Sequence, residues 1–235
     1  MKKELLTLLI ILSSFRSFGQ PEANNLNYMG NSLEDIIPTG WTILNAQTGD
    51  LNKDGISDLV FVIQDTDLKN IEPNDGLGTD SVDLNPRMLG IYFGTKSGSY
   101  QQKLISHDFI PLRDLPTMDE PFEGMKITNK GALEINLKLW YSAGSWSTSQ
   151  HQYKFRFEDD VFVLIGYASE EAHRGSGETT NYRINFIKRK MKITRGNLSS
   201  DNPTSIERRK FKLEKRKTLQ SLERPFEWEF EGIYL

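Results

Sequence analysis

The sequence predicts a mainly β fold with little helix, and three observations carry that prediction. Residues 133–140 and 152–158 alternate apolar and polar side chains with period two, so each would set one face on a core and the other in water. Residues 59–63, Leu-Val-Phe-Val-Ile, are a continuous apolar run enriched in β-branched and aromatic types, as in a strand covered on both faces. Short clusters of Gly, Ser, Asn and Asp separate such runs, and helical signals are confined to single turns.

The chain begins Met1-Lys2-Lys3, continues through an apolar run over residues 5–12, and has small residues at Ser17 and Gly19. That pattern is a secretory signal peptide over residues 1–19, which leaves residues 20–235 as a single β-rich domain. The apolar run is too short to span a bilayer, and no later stretch is long and apolar enough to do so, so the mature chain is expected in the periplasm or outside the cell. Without residues 1–19 the chain carries 26 basic against 31 acidic side chains. There is no cysteine, so stability must come from a core and from any bound metal.

After a polar, Asn-rich start, residues 31–38 offer a capping Ser32, early acids at Glu34 and Asp35, and a terminating Pro38, which fits one or two helical turns. Residues 41–44 read as a short strand leading into Gly49-Asp50-Leu51-Asn52-Lys53-Asp54-Gly55-Ile56-Ser57-Asp58. Counting from Asp50, oxygen-bearing side chains fall at positions one, three, five and nine, and a glycine at position six allows the sharp turn that wrapping an ion requires. Three carboxylates this close repel one another unless a cation neutralises them. The loop therefore reads as a calcium site, with Asp50, Asn52, Asp54 and Asp58 as side-chain ligands and Ile56 through its carbonyl; the alternative is an Asx-rich turn without metal. An EF-hand fits less well, because position twelve would need a bidentate acid and is Phe61.

The buried strand at residues 59–63 follows at once. Residues 64–87 are long, polar and acidic, with breaks at Pro73, Gly76, Gly78 and Pro86, and are expected to form a flexible excursion. Residues 88–94 and 100–105 make a hairpin across a Gly and Ser turn. A nine-residue acidic loop, an apolar strand, a second apolar strand ending Phe93-Gly94 and the Gly98-Ser99-Tyr100 turn together resemble one FG-GAP or VCBS repeat, the blade unit of integrin-type propellers, over residues 41–106. The resemblance implies the same calcium ligands. A closed propeller needs several blades, and only one copy is present, so a blade-like hairpin beside a meander is expected instead.

The meander occupies residues 107–235. Asp159-Asp160 turns the chain from residues 152–158 into 161–167, and Gly175-Ser176-Gly177 turns it into 182–187, with 191–194 as a further strand. Residues 198–205 read as a polar loop, 211–214 as a strand, and 225–230 as a last strand docked on the body. One polar and one apolar face per strand fits a sheet covered on one side only.

Trp140, Tyr141, Trp146 and His151 surround a Ser142-Ala143-Gly144-Ser145 turn and form a candidate patch for a sugar or peptide; aromatic residues on sheets otherwise belong to the core. Charge is uneven: eleven acids against Lys53 and Lys69 over residues 34–83, then thirteen Lys or Arg over residues 182–217. Lys188, Arg189, Lys190, Arg208, Arg209 and Lys210 are candidate anion-binding residues, and 215–217 is basic too. The two charged regions otherwise face each other or solvent. His107, His151 and His173 lack zinc spacing, and no serine elbow, phosphate loop or thiol nucleophile is present. The favoured function is a calcium-binding, non-catalytic binding or structural module whose partner is an anionic envelope polymer or another protein, and not nucleic acid. The alternative is a hydrolase of an extracellular polymer whose acids meet only in three dimensions.

Overall fold

The computed structural model describes residues 26–235, so the predicted signal peptide lies outside the described residues. Strand makes up 54% and helix 5%, which is the mainly β class expected, and the sheets do not close into a propeller. Two antiparallel sheets carry the fold, one of the chain's sheets being curled as a half-barrel.

The first sheet has the order β1-β7-β6-β3-β2. Its strands are β1 (Met29–Gly30), β2 (Trp41–Gly49), β3 (Asp58–Asp65), β6 (Arg87–Gly94) and β7 (Tyr100–Ser106). Between β1 and β2, the helical turn α1 (Leu33–Ile36) is capped by Ser32, whose Oγ accepts a hydrogen bond from the Asp35 N–H at 3.3 Å. β3 is flanked on both sides, as its apolar run predicted. Its Val60 and Val62 join the large core shared with the second sheet, while Leu59, Phe61 and Ile63 pack with Ile36, Met88 and Tyr92 on the other face.

The segment between β3 and β6 departs from expectation. It is an ordered hairpin of β4 (Ile71–Pro73) and β5 (Ser81–Asp83), not a flexible excursion. Asparagines close it: Asn85 Oδ1 accepts from Asp67 N–H and Asn70 Nδ2 at 3.1 and 2.9 Å, and Asn74 Nδ2 donates to the Thr79 carbonyl at 2.9 Å. Polar composition here marks local hydrogen bonding to the backbone, which satisfies groups a sheet would otherwise pair.

The second sheet is an unbroken meander, β8 (Phe122–Ile127), β9 (Ala132–Leu139), β10 (Ser147–Glu158), β11 (Val161–His173), β12 (Glu178–Asn185), β13 (Lys190–Asn197) and β14 (Ser200–Lys210). Asp159 and Asp160 join β10 to β11 with φ of 49° and 69°, the left-handed pair a tight hairpin turn requires. One face is core, built on Leu133, Ile135, Tyr153, Phe155 and Leu164, and the other faces solvent.

Two further expectations are corrected. Residues 198–205 are largely strand, because β14 is an edge strand exposed on both faces, and burial imposes no alternation on it. Residues 211–214 are not a strand: Phe211 leaves the sheet and packs edge-on against Phe186 and Phe230 at 5.9 and 4.9 Å. The C-terminal segment, with α2 (Leu219–Leu222), β15 (Glu229–Phe230) and β16 (Ile233–Tyr234), closes the core through Leu219, Leu222, Phe230 and Leu235.

Candidate functional site

The acidic loop connects β2 to β3 above the Gly49–Asp58 pair. Its turns are local and side-chain made. Asn52 Oδ1 accepts from the Asp54 N–H at 3.0 Å, Asp54 Oδ1 from the Ile56 N–H at 2.8 Å, and Asp50 Oδ2 from the Gly55 N–H at 3.0 Å. Lys53 and Gly55 take positive φ, 64° and 83°, so the chain coils tightly enough for three Asx side chains to serve one short loop.

Asp58 differs from the others. It is fully buried, and its Oδ2 accepts from Leu51 N–H at 2.7 Å and Asn52 N–H at 3.4 Å while its Oδ1 accepts from Gly94 N–H at 3.0 Å. Burial pushes its carboxyl pKa up, against the downward pull of those backbone donors. This carboxylate bolts the loop to β6.

Two glycines that the sequence did not mark for this purpose complete the seat. A Cβ on Gly94 would lie 2.3 Å from the Ser57 carbonyl oxygen, and one on Gly131, in the β8–β9 turn, 2.7 Å from the Asp50 carbonyl oxygen. Leu51, at 1% exposure, anchors the loop in the core.

Whether these residues suit a hard cation turns on one atom. Asp50 Oδ1 is buried and has no hydrogen-bond partner. A buried anionic oxygen without a donor is costly, and a cation would satisfy it. Asp50 offers that oxygen to a hard cation, whereas Asn52 Oδ1 and Asp54 Oδ1 already accept backbone N–H groups, Asp54 Oδ2 accepts from Asn52 Nδ2 at 3.0 Å, and both Asp58 oxygens hold the loop to the backbone. Among the described residues, no three His, Cys, Asp or Glu side chains stand close enough to hold a metal by themselves, so amide and carbonyl oxygens would have to contribute.

No protein-family model, curated protein or solved structure matches this chain.

The candidate aromatic patch divides. Trp146 is 68% exposed, and its carbonyl accepts from the Arg174 N–H at 2.8 Å. The Arg174 guanidinium lies 5.1 Å from the Trp140 ring and donates to the Tyr141 carbonyl at 2.7 Å and to the Ser145 carbonyl. His151 is not part of this rim. It is buried on the core face of β10, with Nδ1 at 2.7 Å from Tyr167 Oη, Nε2 at 2.7 Å from Ser149 Oγ, and its ring 4.7 Å from Phe226. The histidine at the rim is His173: a Cβ on Gly175 would lie 3.2 Å from its ring and 3.5 Å from Trp146.

The basic residues also divide. Arg209 is paired with Glu207, Arg216 with Glu158 and Asp159, and Lys217 lies 5.4 Å from the Trp228 ring. Lys188 and Arg189 form the exposed β12–β13 turn, while Lys190, Arg208 and Lys210 stand on the solvent face of the meander. Among the described residues no ion pair joins the acidic stretch 34–83 to the basic stretch 182–217. No helix among them is long and apolar enough to cross a membrane.

Proposed function

We propose that the chain is an exported calcium-binding module that is not catalytic and that holds a partner, an anionic polymer or another protein, without transforming it. The observation that carries this reading is the unpartnered, buried Asp50 Oδ1 in a loop wound by Asn52, Asp54 and Gly55. The FG-GAP or VCBS likeness of residues 41–106 supports Asp50, Asn52, Asp54, Asp58 and the Ile56 carbonyl as the ligands. The role of the ion is structural: the loop feeds β3, the strand buried on both faces, so fixing the loop fixes where that strand enters the core.

Extracellular calcium modules commonly bind with dissociation constants of about 10⁻⁴ to 10⁻³ M. At ~1 mM free calcium and a constant near 10⁻⁴ M, preferential binding to the folded state contributes roughly 1.4 kcal/mol. Calorimetric titration and thermal melts in calcium and in chelator test this. Calcium should raise the melting temperature by a few degrees, and Asp54→Ala should abolish the rise while costing little in chelator. A variant that keeps the full rise would place the ion elsewhere.

A further inference from the structure

The register of the meander gathers cations that are scattered in sequence. On the solvent face, Arg183 of β12 stands opposite Lys192 of β13, which stands opposite Arg208 of β14. In the next row on the same face, Asn185 stands opposite Lys190, and Lys190 opposite Lys210. Lys190–Lys210 and Lys192–Arg208 are thus two directly opposed like-charge pairs. Such pairs destabilise a sheet. Among the described residues, Lys190, Lys192, Arg208 and Lys210 form no ion pair, and Arg183 reaches only the exposed Glu170, at 3.7 Å.

Charging an edge strand to block unwanted pairing is a familiar device, and it accounts for Arg208 and Lys210 on β14. It does not account for cations facing them from β13 and β12, which are not edges. Nor does general composition, since the mature chain has more acids than bases.

The rows continue inward to a depression of about 430 Å³. Gly166 and Ala168 on β11, the smallest side chains in their rows, lie between Lys154 and Gln152 of β10 on one side and Asn185 and Arg183 on the other. With neighbouring strands ~4.8 Å apart, the path from Lys154 to Lys210 spans roughly 19 Å, the reach of a chain and not of a single small anion. Side-chain amides at Gln152 and Asn185 suit hydroxyl groups. Tyr167, the one aromatic residue lining the depression, turns its ring to the core side, where its hydroxyl meets His151, so the outer face lacks the platform on which single-stranded nucleic acid bases stack.

We infer that this face, from the Gly166–Ala168 depression to β14, is the binding surface for a linear acidic polysaccharide, whose carboxylates meet Arg183, Lys190, Lys192, Arg208 and Lys210 and whose hydroxyls meet the flanking amides. The inference rests on the reading of the chain as a binding module and names its partner. The candidate anion-binding residues Lys188, Arg189 and Arg209 are not needed for it, and Arg183 and Lys192 are added.

The test uses the mature chain with polygalacturonate, neutral dextran, duplex DNA and anionic lipid vesicles as probes. Polygalacturonate should bind, weaken steeply from 50 to 500 mM salt, and lose at least tenfold with Lys192→Glu/Arg208→Glu, while Lys96→Glu on the β6–β7 turn changes nothing. A second variant, Lys190→Ala/Lys210→Ala, should weaken binding while raising the melting temperature, an opposed pair of effects that a folding defect cannot give. Absent binding, binding indifferent to salt or to both double variants, or equal binding of DNA or vesicles would overturn the inference. Cleavage of the polymer would instead overturn the non-catalytic reading, and an intact calcium response without polymer binding would leave that reading standing.

Discussion

The Asp58 carboxylate accepts the Gly94 N–H at 3.0 Å and the Leu51 N–H at 2.7 Å, so one buried side chain joins the acidic loop to the end of β6. Removing it strands buried donors. Hydrogen bonds to a charged group are worth roughly 1.5–3 kcal/mol each, so Asp58→Ala should cost at least ~3 kcal/mol. At roughly 2–4 °C per kcal/mol for a chain of this size, its melting temperature in chelator should fall by about 6–12 °C, while Asp54→Ala barely moves. Equal melting of the two variants in chelator would mean that Asp58 acts only through a metal.

Two glycines at this site should respond differently to the same substitution. Gly55 and Gly131 both take positive φ, 83° and 69°, but a Cβ on Gly55 meets nothing within 4 Å, whereas one on Gly131 meets the Asp50 carbonyl oxygen at 2.7 Å. Gly55→Ala should cost only the left-handed backbone term, about 1–2 kcal/mol. Gly131→Ala should cost more than that and also weaken calcium binding, because relief of the clash must displace Asp50. Denaturant melts with and without calcium measure both effects, and a Gly131→Ala protein with undiminished calcium affinity would argue against Asp50 as a ligand.

What the sequence disclosed followed from how local each constraint is. β3 was legible because burial on both faces permits only apolar types over residues 59–63. The loop's side chains were legible because their bonds run two to five residues along the chain. Gly94 and Gly131 were not, since each meets the loop only after the chain returns from another strand. β14 was hidden because a doubly exposed edge strand has no burial pattern to display. His151 was misplaced in the aromatic patch, although a signal existed: it continues the inward set of Tyr153 and Phe155 by one step of two. The basic face needed the register itself, which pairs Lys190 with Lys210 and Lys192 with Arg208 across strands and cannot be read from charge runs.

Trp146 should report on the rim without disturbing the fold. It is 68% exposed, whereas Trp41, Trp140 and Trp228 are partly covered. Trp146→Phe should therefore change stability by less than ~0.5 kcal/mol. It should also remove most of the tryptophan emission that iodide quenches in the native protein. Quenching that persists unchanged in the variant would show that another indole is the accessible one.

Acid should destabilise this protein through His151. Burial pushes its imidazole pKa down from 6.5 to about 4, and both ring nitrogens are already engaged, by Tyr167 Oη and Ser149 Oγ. The folded state therefore holds it neutral while the unfolded chain takes up a proton below about pH 6.5. Stability must then fall as pH drops from 6.5 towards 4, by about 3 kcal/mol in all, and level off below. Glu134 and Glu158 act in the same direction but lower: burial raises both carboxyls, but their basic partners, Lys154 with Lys126 and Arg156 with Arg216, together outweigh it and leave both pKa values depressed, so their contribution is lost only as pH falls through the carboxylate range. His151→Gln separates the two sources. Its stability should be lower at pH 7 yet nearly flat between pH 6.5 and 5, where the native protein slopes, and both should decline together near pH 4. Parallel curves across pH 6.5 to 5 would show that His151 is not the titrating group.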